Sequence, residues 1–90
     1  MKMQSGLKIV VADKGFVFVG MVLEGDGPEV VITNTHNLRR WGTTRGLGEL
    51  VSGPTDKTEH DPWGTVVTVP IIRLDCPANS RWNQILGLKS

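Results

Sequence analysis

Phe16-Val-Phe-Val-Gly-Met-Val-Leu23 is apolar on both faces of an extended chain. Side chains alternate across a strand, so Phe16, Phe18 and Val22 share one face while Val17, Val19, Met21 and Leu23 share the other. Such a strand needs cover on both sides, which places it at the centre of a sheet or against another subunit. Gly20 in its interior predicts a bend or bulge, the mark of a strongly curved sheet. Upstream, Leu7-Lys-Ile-Val-Val-Ala12 is a β-branched run that ends in the turn Asp13-Lys-Gly15. Downstream, Glu24-Gly-Asp-Gly-Pro28 is a turn, and Glu29-Val-Val-Ile-Thr-Asn34 reads as a third strand.

Further on, Gly64-Thr-Val-Val-Thr-Val-Pro-Ile-Ile-Arg-Leu74 reads as strand, with Pro70 forcing an edge, a bulge or a break. The segment Pro77-Ala-Asn-Ser-Arg-Trp-Asn-Gln-Ile-Leu-Gly87 suits one or two helical turns. Asn79 or Ser80 would cap them, Trp82, Ile85 and Leu86 would face inward, and Gly87 would end them. The expected fold is mainly β: a small, strongly bent antiparallel sheet or an SH3-like or Sm-like barrel, with a short C-terminal helical turn. One domain spans 1–90, with residues 1–6 expected to be disordered. Residues 35–64 form a loop-rich insertion, in which only 47–51 suits a short strand.

With 90 residues, one cysteine and no cysteine–histidine cluster, the chain has neither disulfides nor an evident structural metal to support a small core. Oligomerisation is the remaining common device, so a homo-oligomer is expected. The opening Met-Lys-Met-Gln-Ser-Gly lacks the apolar core of a signal peptide. The apolar runs at 17–23 and 66–72 are too short to cross a bilayer. Together with the lone cysteine, these readings place the protein in a reducing cytoplasm, with no membrane partner.

The net charge of +1 argues against a general nucleic-acid glue, but its distribution is uneven. Residues 30–48 carry Arg39, Arg40 and Arg45 with no carboxylate, and residues 49–61 carry Glu49, Asp56, Glu59 and Asp61 against Lys57 alone. The stretch 33–48 gathers three guanidiniums, one imidazole, two carboxamides, four hydroxyls and one indole. These groups suit phosphate, ribose and base: arginine grips an anion with a fork, and Trp41 offers a flat face. The candidate ligand-binding set is Asn34, His36, Asn37, Arg39, Arg40, Trp41, Thr43, Thr44 and Arg45. The competing reading makes Trp41 a core residue and pairs an arginine with Glu49, Asp56 or Asp61.

Asn37-Leu-Arg-Arg-Trp-Gly-Thr-Thr-Arg-Gly-Leu-Gly-Glu-Leu50, with Val31-Ile-Thr-Asn34 before it, resembles a family of short uncharacterised bacteriophage and prophage proteins. Lys8-Ile-Val-Val-Ala-Asp-Lys-Gly-Phe-Val-Phe-Val-Gly20, Gly64-Thr-Val66 and Asp75-Cys76 are similar to it as well, so the likeness spans about residues 8–82. The resemblance implies a phage accessory protein made in a bacterial cytoplasm and brings no functional residue with it.

Catalytic chemistry finds little footing. His36, His60 and Cys76 are scattered singly, which suits neither zinc nor a nucleophile–base pair. Cys76 reads as a small buried thiol, and His60-Asp61 as a solvated loop. No enzyme, metal or cofactor is expected. The leading expectation is a phage binding protein that sequesters a phosphate-bearing cyclic nucleotide between subunits, an anti-defence role. The alternatives are an Sm-like nucleic-acid-binding module, and a protein-interaction inhibitor of a host defence complex or a virion structural part.

Overall fold

The doubly apolar stretch lies at the centre of the sheet, as its two faces require. A computed structural model describes residues 3–44 and 46–88. The strands are β1 (Met3–Ala12), β2 (Val17–Glu24), β3 (Val30–Arg40), β4 (Glu59–Pro62), β5 (Val66–Thr68) and β6 (Pro70–Asp75). A 3₁₀ helix occupies Leu47–Ser52, and one short helix, α1, occupies Trp82–Ile85. All pairings are antiparallel, in the order β4-β3-β2-β1-β6, with β5 also on β3.

β4 and β5 share the outer edge of β3. β4 lies along its second half, where Leu38 opposes His60, and β5 along its first, where Val31 opposes Val67. Val69 and Pro70 then turn the chain, so that β6 pairs with the far edge of the sheet on β1. Residues 66–75 therefore reach both edges of the central meander without pairing with each other, and the bent sheet is not a closed barrel. Pro70 explains why the single strand read at 64–74 is two: its ring fixes φ and removes a ladder donor.

Each face of β2 has its own core. Ile9, Val17, Val19 and Leu38 pack under Leu50 of the 3₁₀ helix and under Trp82 and Leu86 of the C-terminal turn. On the opposite face, Val10, Ala12, Phe18, Val22, Val30 and Ile32 pack together, with Val66 of β5 against them. Gly20 marks the bend: β2 and β3 slip register between Val19 and Met21, with Asn34 at φ 54° on the opposing strand. No helix among the described residues is long and apolar enough to cross a membrane.

Several boundaries differ from the sequence reading. Residues 3–6 extend β1 rather than being disordered, because Met3 and Gln4 pair with Glu24 and Leu23. β3 runs on to Arg40, so the insertion at 35–64 begins in strand and contains β4 at 59–62. The segment 47–51 is not a strand. Leu47 and Leu50 are three apart, the spacing that a 3₁₀ turn puts on one side, and both join the core. At the C-terminus, Ser80 Oγ accepts the backbone N–H of Trp82 at 3.3 Å, although Arg81 is the first flanking residue of α1. Trp82 and Leu86 are buried as expected, whereas Ile85 is exposed, because a helix this short turns only one narrow face inward. Gly87, at φ 75°, ends the helix in a Schellman arrangement, with its N–H bonded to Gln84 O and that of Leu88 bonded to Asn83 O.

Candidate functional site

The second half of β3 carries most of the polar stretch, and strand geometry sorts it. Asn37 is buried, and its Nδ2 donates to Val17 O at 3.1 Å, so this carboxamide ties β3 to β2. Asn34 sits at the bulge, exposed, and donates to Leu86 O at 3.4 Å. Neither is arranged to meet a ligand.

His36 is half-buried and turns to the face covered by the C-terminal segment. Its Nδ1 lies 2.8 Å from Nδ1 of His60 on β4, and the His60 ring stands edge-on to Trp82 with centroids 5.0 Å apart. His60 is therefore built into the fold rather than lying in a solvated loop. The His36 imidazole is held below its ordinary 6.5, first by burial and then by His60, with Asp61 opposing.

The arginines meet the acidic segment. Arg39 Nε is ion-paired with Asp61, and its Nη1 reaches Glu59 at 3.3 Å. Arg40 Nε stands 3.7 Å from the other oxygen of Glu59, and its side chain keeps 71% of its surface open. The positive and negative segments are adjacent in sequence because they pair across β3 and β4. Arg39 does not present a free guanidinium.

Trp41 is exposed and lies outside both cores. Its carbonyl accepts the Thr58 hydroxyl at 2.6 Å, and the Gly42 carbonyl accepts that of Thr55 at 2.8 Å. Gly42, at φ 65°, lies directly against the backbone of Lys57 and Thr58, where a Cβ would come within 2.4 Å. The backbone of 41–42 is thus pinned while the indole stays accessible. Thr44 Oγ1 reaches Glu49 at 3.4 Å, and Thr43 is half-buried. Arg45 lies outside the described residues. Among the described candidates, Arg40 and Trp41 are sequence neighbours that both stay exposed, Arg40 while paired with Glu59.

A second surface, not foreseen from sequence, begins just beyond β4 at Trp63, whose N–H bonds to Thr35 O. Phe16, Phe18 and Trp63 form one aromatic cluster, with centroids 5.8 to 6.2 Å apart. Phe18 is buried, but Phe16 and Trp63 are 50% and 53% exposed. Beside them a groove of about 320 Å³ is lined by Ala12, Lys14, Phe18, Val66, Val67 and Val69 among others. Val67 is 59% exposed and Ile71 63%, so the apolar character continues along the chain into β6. The available signal was the apolar density of 66–72, which the sequence reading takes as part of one strand over 64–74.

Nucleophilic chemistry has no support here. Burial, reinforced by Asp75 and opposed by Lys8, pushes the Cys76 thiol up to about 11, leaving it protonated at neutral pH. No group of three potential metal ligands occurs among the described residues. Comparison with protein-family models, with curated proteins and with solved structures finds no match.

Proposed function

We propose that this chain is a non-enzymatic protein-contact module that assembles with further copies of itself through the apolar rim around Phe16, Trp63, Val67 and Val69. The supporting observation is that rim: large apolar side chains left in water together beside a groove, outside the two cores. Exposed apolar surface concentrated in this way marks interaction sites, and aromatic anchors dominate the energy of such contacts. A second copy is favoured because a small domain gains most from burying its own exposed face against an identical one. A structural or accessory role in a phage, the context the sequence resemblance implies, is compatible with self-assembly. Sedimentation velocity over about 1 to 100 µM is the test, a range matched to contacts of modest affinity. Wild-type protein is expected to associate, and Val67→Lys or Val69→Lys to remain monomeric with an unchanged circular dichroism spectrum. A wild-type monomer throughout the range overturns the reading.

The second reading, a phosphate-bearing nucleotide held between subunits, draws on a different observation: Arg40 and Trp41 stand exposed side by side in sequence on a pinned backbone. Here Arg40→Ala is expected to weaken binding of a cyclic nucleotide by about tenfold or more, the usual worth of a charge-assisted contact. Calorimetric titration with a mixed cyclic di- and trinucleotide panel checks it, and absence of heat with the wild type removes it.

A further inference from the structure

β4 is a strand with almost nothing apolar to hold it. Its four residues, Glu59-His-Asp-Pro62, pair with β3 through a short ladder that slips register between Leu38 and Arg40. Its fastening is polar. His60 meets His36, Asp61 and Glu59 meet Arg39, Glu59 also meets Arg40, and the Trp63 N–H just beyond bonds to Thr35 O at 2.9 Å.

The two imidazoles contact each other nitrogen to nitrogen at 2.8 Å. One Nδ1 must donate a proton and the other must accept with its lone pair. Two neutral rings of opposite tautomer satisfy this, as does one neutral ring with one cation. Two imidazoliums do not: both Nδ1 atoms then carry hydrogens, the bond becomes a clash of donors, and two positive charges stand side by side.

The surroundings offer limited relief. On β4, Asp61 is the carboxylate acting on His36, but Asp61 and Glu59 are already committed to Arg39. β2 presents Val19 opposite His36. α1 presents Trp82 to both rings and has no charged residue in its Trp-Asn-Gln-Ile sequence. The nearby Arg81 guanidinium is turned to the carbonyls of Ser52 and Pro54.

We infer that the His36–His60 pair is an acid-sensitive latch: it holds β4 on β3 while at least one ring is neutral, and releases β4 when both are charged, freeing the guanidiniums of Arg39 and Arg40 from Glu59 and Asp61. The direction of the His36 shift agrees. Its folded value lies below the ordinary 6.5, so the unfolded or released state binds the proton more readily. The stabilisation is complete above about 6.5 and is lost as the pH falls from there through the lower folded value. The Nδ1–Nδ1 contact tolerates one added proton and not two, so entry of the second proton governs release.

Amide hydrogen exchange on the full chain tests this. Between about pH 7.5 and pH 5, after correction for intrinsic rates, protection across 59–63 is expected to fall by about tenfold or more while Ile9 and Val19 keep theirs. His60→Phe keeps an aromatic ring against Trp82 and removes the titration, and its protection at 59–63 is expected to be independent of pH over that range. Nitrogen shifts of the two wild-type imidazoles, which need no variant, are expected to show two coupled steps, the lower coinciding with the loss of protection. Flat protection in the wild type, parallel loss at Ile9 and Val19, a pH step that survives in His60→Phe, or two independent titrations at the ordinary value would each overturn the latch.

Discussion

Trp82→Ala is expected to lower the unfolding free energy by about 3 to 5 kcal/mol, the range for deleting a large buried aromatic side chain. Trp82 is fully buried and is the largest such side chain in the molecule. It closes the core formed by Ile9, Val17, Val19, Leu38 and Leu50, and its Nε1 donates to Leu50 O at 2.7 Å. Nothing nearby can collapse into the space, because the C-terminal turn is fixed independently by Arg81 N–H on Ser52 O and by the Gly87 termination. A domain of this length has a total stability of about 5 to 13 kcal/mol, so the loss is about a quarter of it or more. The melting temperature should fall by roughly 15 to 30 °C. Trp82→Phe separates packing from polarity. Leu50 O also accepts the Gly53 N–H at 3.0 Å, so the carbonyl keeps a partner and the lost hydrogen bond costs only about 1 kcal/mol. Urea denaturation of the two variants measures both terms. A Trp82→Ala cost below about 1 kcal/mol would mean that this face of the sheet is not a packed core.

The parts of the fold visible in sequence are those that hydrophobic pattern encodes. β2 was legible because two apolar faces call for cover on both sides, and Trp82, Leu86 and Gly87 because cap, apolar face and terminator occur in helical order. The second half of β3 was hidden because its inward residues are polar. Thr35 and Asn37 are buried, with hydrogen bonds to Ile32 O and Val17 O, and burial satisfied in this way leaves no apolar signature. β4 was hidden for a related reason: Glu59-His-Asp-Pro62 becomes strand through partners that lie on β3, more than twenty residues away for the His36–His60 and Arg39–Asp61 pairs. The candidate site followed the same rule. Residue types between Thr33 and Gly48 identified a polar segment correctly, but how far each guanidinium is tied to a carboxylate depended on Glu59 and Asp61 folding back, and that is a property of register rather than composition.

The second large effect concerns the bend. Gly20→Ala is expected to destabilise the protein by about 2 to 3 kcal/mol, the upper part of the range for overpacking a filled interior. Gly20 does not need glycine for its backbone angles. It needs glycine for closeness: a Cβ there would lie 2.6 Å from Ile32 Cγ2 and 2.7 Å from Thr33 O. The side-chain methyl could yield by a rotamer change at some cost, but the carbonyl belongs to β3 and can move only if the strand moves. The register slip between Val19 and Met21 places β3 this near, with Asn34 holding φ 54° in a region that costs a non-glycine residue energy. Relieving the added methyl therefore means opening the bulge, and the bulge is what turns the polar end of β3 toward β4. Gly20→Ala should consequently loosen the His36–His60 contact as well as lower the urea midpoint, and Gly20→Val, with two further methyls, should not fold. Gly48→Ala is the control: nothing lies within 4 Å of its added Cβ, so its effect should stay within about 0.5 kcal/mol. Equal urea midpoints for Gly20→Ala and Gly48→Ala would show that the two strands separate freely at this point and that no close approach of backbones maintains the bend.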